Sequence, residues 1–215
     1  MNEILGYGED AFTFWALKRR LSEILKDLHD QTEPSDCLIF FRPSFGRRGG
    51  RGRAEFGEFD AILASPQNIY LIESKWDNLS ENKNEQIELI DEEVLRHKIF
   101  SWYLRNWDAQ KYSGDWQKFK IDFESNFTGT KNFSDRKIAP AGSRLAKNLE
   151  FVLNKLQEHC KRYSCEYGKP RNILLYFHGN KSEEIKRVAA GDLNFEVVNI
   201  DYSEYTSGNF ITLDC

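Results

Sequence analysis

The 215-residue chain is long enough for one domain with a buried core, and 40% hydrophobic with 14% aromatic residues excludes a disordered protein. Its formal net charge of −4 excludes a polycation that coats nucleic acid by bulk charge, though not an enzyme with one local basic face. No apolar run approaches the roughly 18 residues of a membrane helix, and Met1-Asn2-Glu3 does not open a signal peptide, so a soluble, cytoplasmic protein without a membrane partner is expected.

In chain order, Phe14, Leu17, Leu21, Ile24 and Leu28 recur at alternating steps of three and four, which predicts a helix over Glu9 to Asp30. Pro34-Ser35-Asp36 ends it. Three strand-like runs follow at Cys37–Phe45, Ala54–Ala64 and Ile69–Trp76. A Gly/Arg-rich loop, Gly46–Arg53, joins the first two, and the turn Ser65-Pro66-Gln67-Asn68 joins the second and third. A second helix is expected over Asn84 to Asn106 and a third over Ser143–His159. Between them, residues 107–142 mix aromatics with Lys, Gly, Ser and Asn, and read as an insertion packed on the core with a short strand at Phe119–Phe123. Ile173–Phe177 and Phe195–Ile200 read as strands, Ser182–Ala190 as a short Ser-capped helix, and Phe210–Leu213 as an edge strand. Strands joined by tight turns should pair antiparallel and strands joined by a crossover should be parallel, giving a mixed sheet with helices on its faces.

Of the four cysteines, Cys37, Cys160, Cys165 and Cys215, none forms a CxxC pair or has a histidine at zinc-ligand spacing. Cys160 and Cys165 are close enough to bridge or to share a metal, but reduced thiols are the expected state. His29, His97, His159 and His178 form no cluster and read as structural.

The hairpin from Glu58 to Lys75 carries the chemistry. If Ala64 faces Ile69, outward pairing sets Asp60 opposite Glu73, with Cβ atoms about 4.5–5.5 Å apart. Lys75 shares that face. Two carboxylates facing each other across a ladder call for a counter-charge, and Mg²⁺ supplies one using carboxylates, water and substrate phosphate. The Ser74 carbonyl is a further candidate ligand. Lys75 then stands where it could orient or deprotonate an attacking water and steady charge on a phosphate. These parts suffice for phosphodiester hydrolysis. In the same register Glu58 faces Lys75, and the bland alternative is a set of solvated surface charges.

Asp60, a turn, then Ile-Tyr-Leu-Ile-Glu73-Ser74-Lys75 resembles the D…(D/E)xK signature of the PD-(D/E)XK nuclease superfamily. Gly6-Tyr7-Gly8-Glu9 resembles the Gly-x-x-Glu opening of the first helix in several branches, and Gln86 follows the lysine where some branches carry a functional Gln. The resemblance spans roughly Gly6 to Asn106; Phe59, not Pro, precedes Asp60. It implies an α/β, restriction-endonuclease-like mixed β-sheet, with an antiparallel three-strand hairpin core plus parallel strands, flanked by α-helices. It implies one domain over residues 1–215, with the insertion at about 107–142. It also implies a Mg²⁺-dependent DNA endonuclease, with Mn²⁺ able to substitute and a restriction or defence role.

Glu9, Asp60, Glu73 and Lys75 are then the expected catalytic residues, and Asp60, Glu73 and Ser74 the metal ligands. Helical phase points Asp10 rather than Glu9 inward, so Asp10 stands as the alternative to Glu9. Arg47, Arg48, Arg51 and Arg53 lie within seven residues beside the hairpin and, with Gln86, are the expected nucleic-acid contacts. A solvated hairpin tip is the plainer alternative for the arginine loop. The insertion's aromatics fit core packing better than base stacking. Duplex cutters commonly dimerise to reach both strands, so a homodimer is expected. Three alternatives remain: a junction-, end- or RNA-processing nuclease on the same fold, a binding module without chemistry, and a structural or interaction protein whose hairpin charges are merely exposed.

Overall fold

The computed structural model describes residues 3–44, 57–76, 86–127, 138–179, 184–207 and 209–213. The arginine loop that carries Arg47, Arg48, Arg51 and Arg53 lies outside these residues, as do Phe133 and the first part of the expected second helix.

Ten strands and six α-helices are described: β1 (Leu5–Tyr7), α1 (Glu9–Arg19), α2 (Leu21–Asp27), β2 (Leu38–Phe41), β3 (Ala61–Ala64), β4 (Ile69–Trp76), β5 (Gln86–Glu88), α3 (Asp91–Asn106), α4 (Ala109–Tyr112), α5 (Trp116–Asn126), α6 (Arg144–Tyr163), β6 (Arg171–His178), β7 (Arg187–Ala189), β8 (Phe195–Asp201), β9 (Thr206–Ser207) and β10 (Phe210–Thr212). The main sheet has the order β2-β3-β4-β6-β8. Strands β2, β3 and β4 pair antiparallel, whereas β6 is parallel to both β4 and β8. Helices cover both faces, so β3 is buried at every residue and reads as a continuous apolar run rather than an alternating one.

The hairpin register is the expected one: Ala64 pairs Ile69, Ile62 pairs Leu71 and Ala61 pairs Ile72. A buried anchor holds it there. Ser65 N–H donates to the Asn68 carbonyl, while the Ser65 and Tyr70 hydroxyls donate to Asp30 at 2.6 and 2.7 Å. Burial works against the Asp30 charge, but hydrogen bonds from Ser65, Thr32 and Tyr70 outweigh it and hold the carboxyl below its ordinary value. With the turn pinned to the end of α2, a one-residue slip would put every hairpin side chain on the wrong face.

One face, built from Phe59, Ile62, Ala64, Ile69 and Leu71, packs on α3, α5 and α6. The other, with Ala61, Leu63, Tyr70, Ile72 and the inward residues of β6, packs on α1 and α2. Helix α6 runs over twenty residues because Ala146, Leu149, Val152, Leu153, Leu156 and Cys160 repeat on one buried stripe, and the Ser143 hydroxyl caps it by accepting from Ala146 N–H at 3.0 Å.

Six expectations are corrected. The first helix is interrupted at Arg20, which divides it into α1 and α2. The break resets the helical phase, so a stripe fitted across it misplaces α1: Phe12, Trp15 and Ala16 are buried, Phe14 is half exposed, and Asp10 faces outward. Phe119–Phe123 belongs to α5, not a strand; Trp116, Phe119 and Phe123 are spaced three and four apart and bury together. The described aromatics of residues 107–127 pack on the core around Trp102, Tyr103, Trp107 and Phe119. Gln86 sits on β5 rather than early in a helix, and Arg187–Ala189 forms β7 rather than part of a helix. The two strands pair in parallel as a separate two-stranded sheet. The C-terminal strand β10 joins β1 and β9 in its own small sheet rather than edging the main one. Finally, Cys160 and Cys165 form a disulfide. The left-handed Ser164 turns the chain back at the end of α6 and brings the two Cα atoms to 4.7 Å. Among the described residues no helix is long and apolar enough to cross a membrane.

Candidate active site

The regular β3–β4 pairing ends at Ala61–Ile72. Beyond it Asp60 N–H donates to the carbonyl of Ile72, the residue that already pairs with Ala61, and Arg42 N–H donates to the Asp60 carbonyl, so the expected direct Asp60–Glu73 pairing is not formed. The Asp60 carboxylate accepts the Ser74 N–H at 2.7 Å and still feels the charge of Glu73. The third acid arrives from the other side of the sheet. Helix α1 is fastened to β4 by a hydrogen bond between the Thr13 and Ser74 hydroxyls at 2.7 Å, and its first residue is Glu9. Glu9 senses the charges of Lys75 and Glu73. Asp10 instead pairs with Arg42, away from Glu73 and Lys75. Of the two acids left open, Glu9 is the one near Lys75 and Glu73, and Asp10 is the one paired with Arg42.

Helix α3 supplies the counter-charges. Glu93, Arg96 and His97 stand three and four residues apart, so they share a face, and that face meets the end of β4. Arg96 grips both oxygens of Glu73: Nη2 donates to Oε1 and Oε2 at 2.7 Å each, and Nε to Oε1 at 3.0 Å. His97 Nε2 lies 3.0 Å from the same Oε1, and its Nδ1 lies 2.7 Å from Asn172 Oδ1. Asn172 donates its own amide to the Asn194 carbonyl, which turns Oδ1 toward the ring. His97 thus lies between Glu73 and Asn172. Burial pushes Glu73 up, but the His97 hydrogen bond and the Arg96 and His97 charges outweigh it and hold the carboxyl below its usual value.

Lys75 does not meet Glu58. Its Nζ pairs with Glu93 at 2.7 Å, and Glu58 pairs with Arg42 at 2.8 Å. Burial draws the lysine down, yet Glu93, Glu9 and Glu73 more than offset it and raise its pKa. Lys75 is therefore a firm cation, suited to orienting a water or steadying a phosphate and unsuited to taking a proton.

Matching each cation to its acid leaves a remainder. Arg42 takes Asp10 and Glu58, Lys75 takes Glu93, and Arg96 takes Glu73. Among the described residues no hydrogen bond or ion pair satisfies the Glu9 carboxylate, and Asp60 accepts only the Ser74 N–H. Burial, then Glu73 and Glu9, push the Asp60 carboxyl up to about 7. Burial likewise raises Glu9. Two hard oxygen donors without a counter-ion fit a divalent cation such as Mg²⁺, which commonly takes one or two carboxylates. Glu73 fits less well, because its oxygens are already engaged. Among the described residues no three His, Cys, Asp or Glu are arranged to hold a metal ion.

Arg42, Glu93, Arg96 and His97 are the site neighbours that the sequence reading missed. The Glu-x-x-Arg-His spacing was the available signal. Gln86 is exposed on β5, where it pairs with Arg187. Two cavities of about 540 and 560 Å³ are lined by other residues and include none of Glu9, Asp60, Glu73 or Lys75. Compared with protein-family models, with curated proteins and with solved structures, the chain matches none.

Proposed function

We propose that the chain is a Mg²⁺-dependent nuclease of the PD-(D/E)XK type that hydrolyses phosphodiester bonds in DNA, with Mn²⁺ able to substitute. The observation that carries this reading is the pair of acids without a cation, Glu9 and Asp60, beside the protonated Lys75. Asp60 and Glu9 would hold the ion. When bound, it would polarise a phosphoryl oxygen and lower the pKa of a water. Lys75 orients that water and balances charge gathering on the phosphate. Glu93 keeps Lys75 charged and aimed. The restriction-endonuclease-like fold, the arginine-loop contacts through Arg47, Arg48, Arg51 and Arg53, and a homodimer that reaches both strands belong to the same proposal. Junctions, DNA ends or RNA are the alternative substrates for the same groups.

A second reading has one observation in its favour: Glu73 and Lys75 are both satisfied by internal ion pairs, as they would be in a nucleic-acid-binding module without chemistry. Supercoiled plasmid separates the two. Cleavage in Mg²⁺ or Mn²⁺ that stops in EDTA and falls at least a hundredfold in Lys75→Ala is the expected result. DNA binding with no cutting in any metal sinks the nuclease reading and favours the module.

A further inference from the structure

The unusual feature of the site is how completely one of its acids is already engaged by side chains of α3. Glu73 is 1% exposed, Arg96 7% and His97 0%, so the three meet out of contact with solvent. A fork from Arg96 and a contact from His97 use both Glu73 oxygens. The guanidinium also braces the strand that carries Asp60. Its Cζ lies 5.4 Å from the Phe59 ring centroid, over the ring, and Gly57 makes room for Nη1, which a Cβ at that position would strike. Gly57 has φ +67°, a conformation in which a side chain is disfavoured anyway. One side chain therefore ties β4 to the segment that leads into Asp60.

A divalent ion approaching Glu73 meets an arginine already seated on both oxygens, with a histidine beside it. To ligate, Glu73 must give up the fork from Arg96, which breaks a buried ion pair. Stripping one member from a buried ion pair is strongly destabilising. An ion at Asp60 and Glu9 displaces nothing.

We infer that Arg96 is a positioning residue which takes the place of a metal ion at Glu73: it keeps Glu73 as an interior anion, outside the metal's ligand set, and through Phe59 and Gly57 fixes the strand that presents Asp60. This deepens the metal-dependent reading and rests on it for the metal arm of the test alone. It also reverses the role that the D…(D/E)xK resemblance gives Glu73.

Two measurements on the whole chain decide it. The first is binding of Mn²⁺ alone, followed by the electron paramagnetic resonance signal of the free ion, for the wild type, Glu73→Gln, Asp60→Asn and Glu9→Gln. Affinity in Glu73→Gln stays within about threefold of wild type, whereas Asp60→Asn and Glu9→Gln each lose tenfold or more. A tenfold loss in Glu73→Gln overturns the inference. The second is thermal unfolding in EDTA of Arg96→Gln, Glu73→Gln and the double variant. Arg96→Gln alone buries a carboxylate without its fork and melts lowest, and adding Glu73→Gln recovers part of the loss. If the double variant melts no higher than Arg96→Gln, the clamp is not there and the inference fails. Should Arg96→Gln not fold, Arg96→Lys keeps the charge, loses the fork and replaces it in the same cycle, with the same recovery expected. Recovery together with no Mn²⁺ binding by the wild type upholds the clamp and defeats the metal-dependent reading, so the two failures are distinguishable.

Discussion

Replacing Asp60 with asparagine removes the charge while keeping an oxygen for the Ser74 N–H. The Asp60 carboxyl rises from 3.8 to about 7, through burial first and then through Glu73 and Glu9. A carboxyl whose folded value exceeds its unfolded one holds its proton more tightly in the folded chain. Its contribution to stability is therefore complete below about pH 4 and is lost as pH climbs to about 7. At about 1.36 kcal/mol per pH unit, that gap amounts to roughly 4 kcal/mol. Roughly 2 kcal/mol of it is gone by pH 5, and the remainder goes between pH 5 and pH 8. Asp60→Asn escapes the whole loss. In EDTA its advantage over the wild type should therefore grow by roughly 2–3 kcal/mol from pH 5 to pH 8. In a chain of this size that is a widening of about 5–10 °C in melting temperature. The assay is thermal unfolding of both proteins at the two pH values, repeated with Mg²⁺. A cation that neutralises Asp60 should raise the wild type at pH 8 and leave the variant unmoved. Parallel pH profiles in EDTA would mean that Asp60 is solvated and uncrowded, and the electrostatic case for a cation would be lost.

Other perturbations probe the scaffold around the acids. Gly57→Ala forces a methyl against Arg96 Nη1 at a positive φ and should lower stability by about 1–3 kcal/mol in urea unfolding; a neutral substitution would contradict the close approach. Phe119 is fully buried amid Trp102, Tyr103, Trp107 and Trp116, so Phe119→Ala should cost about 3–5 kcal/mol. A loss below about 1 kcal/mol would mean that the aromatic insertion does not pack as described.

The parts of this chain that were legible before folding are those fixed by near neighbours. Strand β4 runs over the residues expected of it, Ile69–Trp76, because an apolar run and a polar turn define it locally. The Ser65–Asn68 turn sets the register from Ala64–Ile69 to Ala61–Ile72, but the pairing departs from it at Asp60, whose N–H bonds the Ile72 carbonyl. Short strands were opaque for the opposite reason: Gln86–Glu88 and Arg187–Ala189 are three residues each, too few to show a period, and each exists by pairing with the other across a long stretch of chain. Phase failed where it was carried through Arg20, since one non-helical residue rotates everything before it relative to everything after. The site divides along the same line. Its acids on neighbouring strands were visible because a hairpin is a local object, whereas the arginine that grips Glu73 comes from α3, whose rotation against the sheet depends on the packing of Leu95, Ile99 and Phe100. A reading from the residues alone could therefore count the negative charges but not assign the positive ones. Under the proposed reading, the call for an external cation depends on the difference between those two sums, and that difference would fall at Asp60 and Glu9 and not at Glu73, whose charge Arg96 already meets.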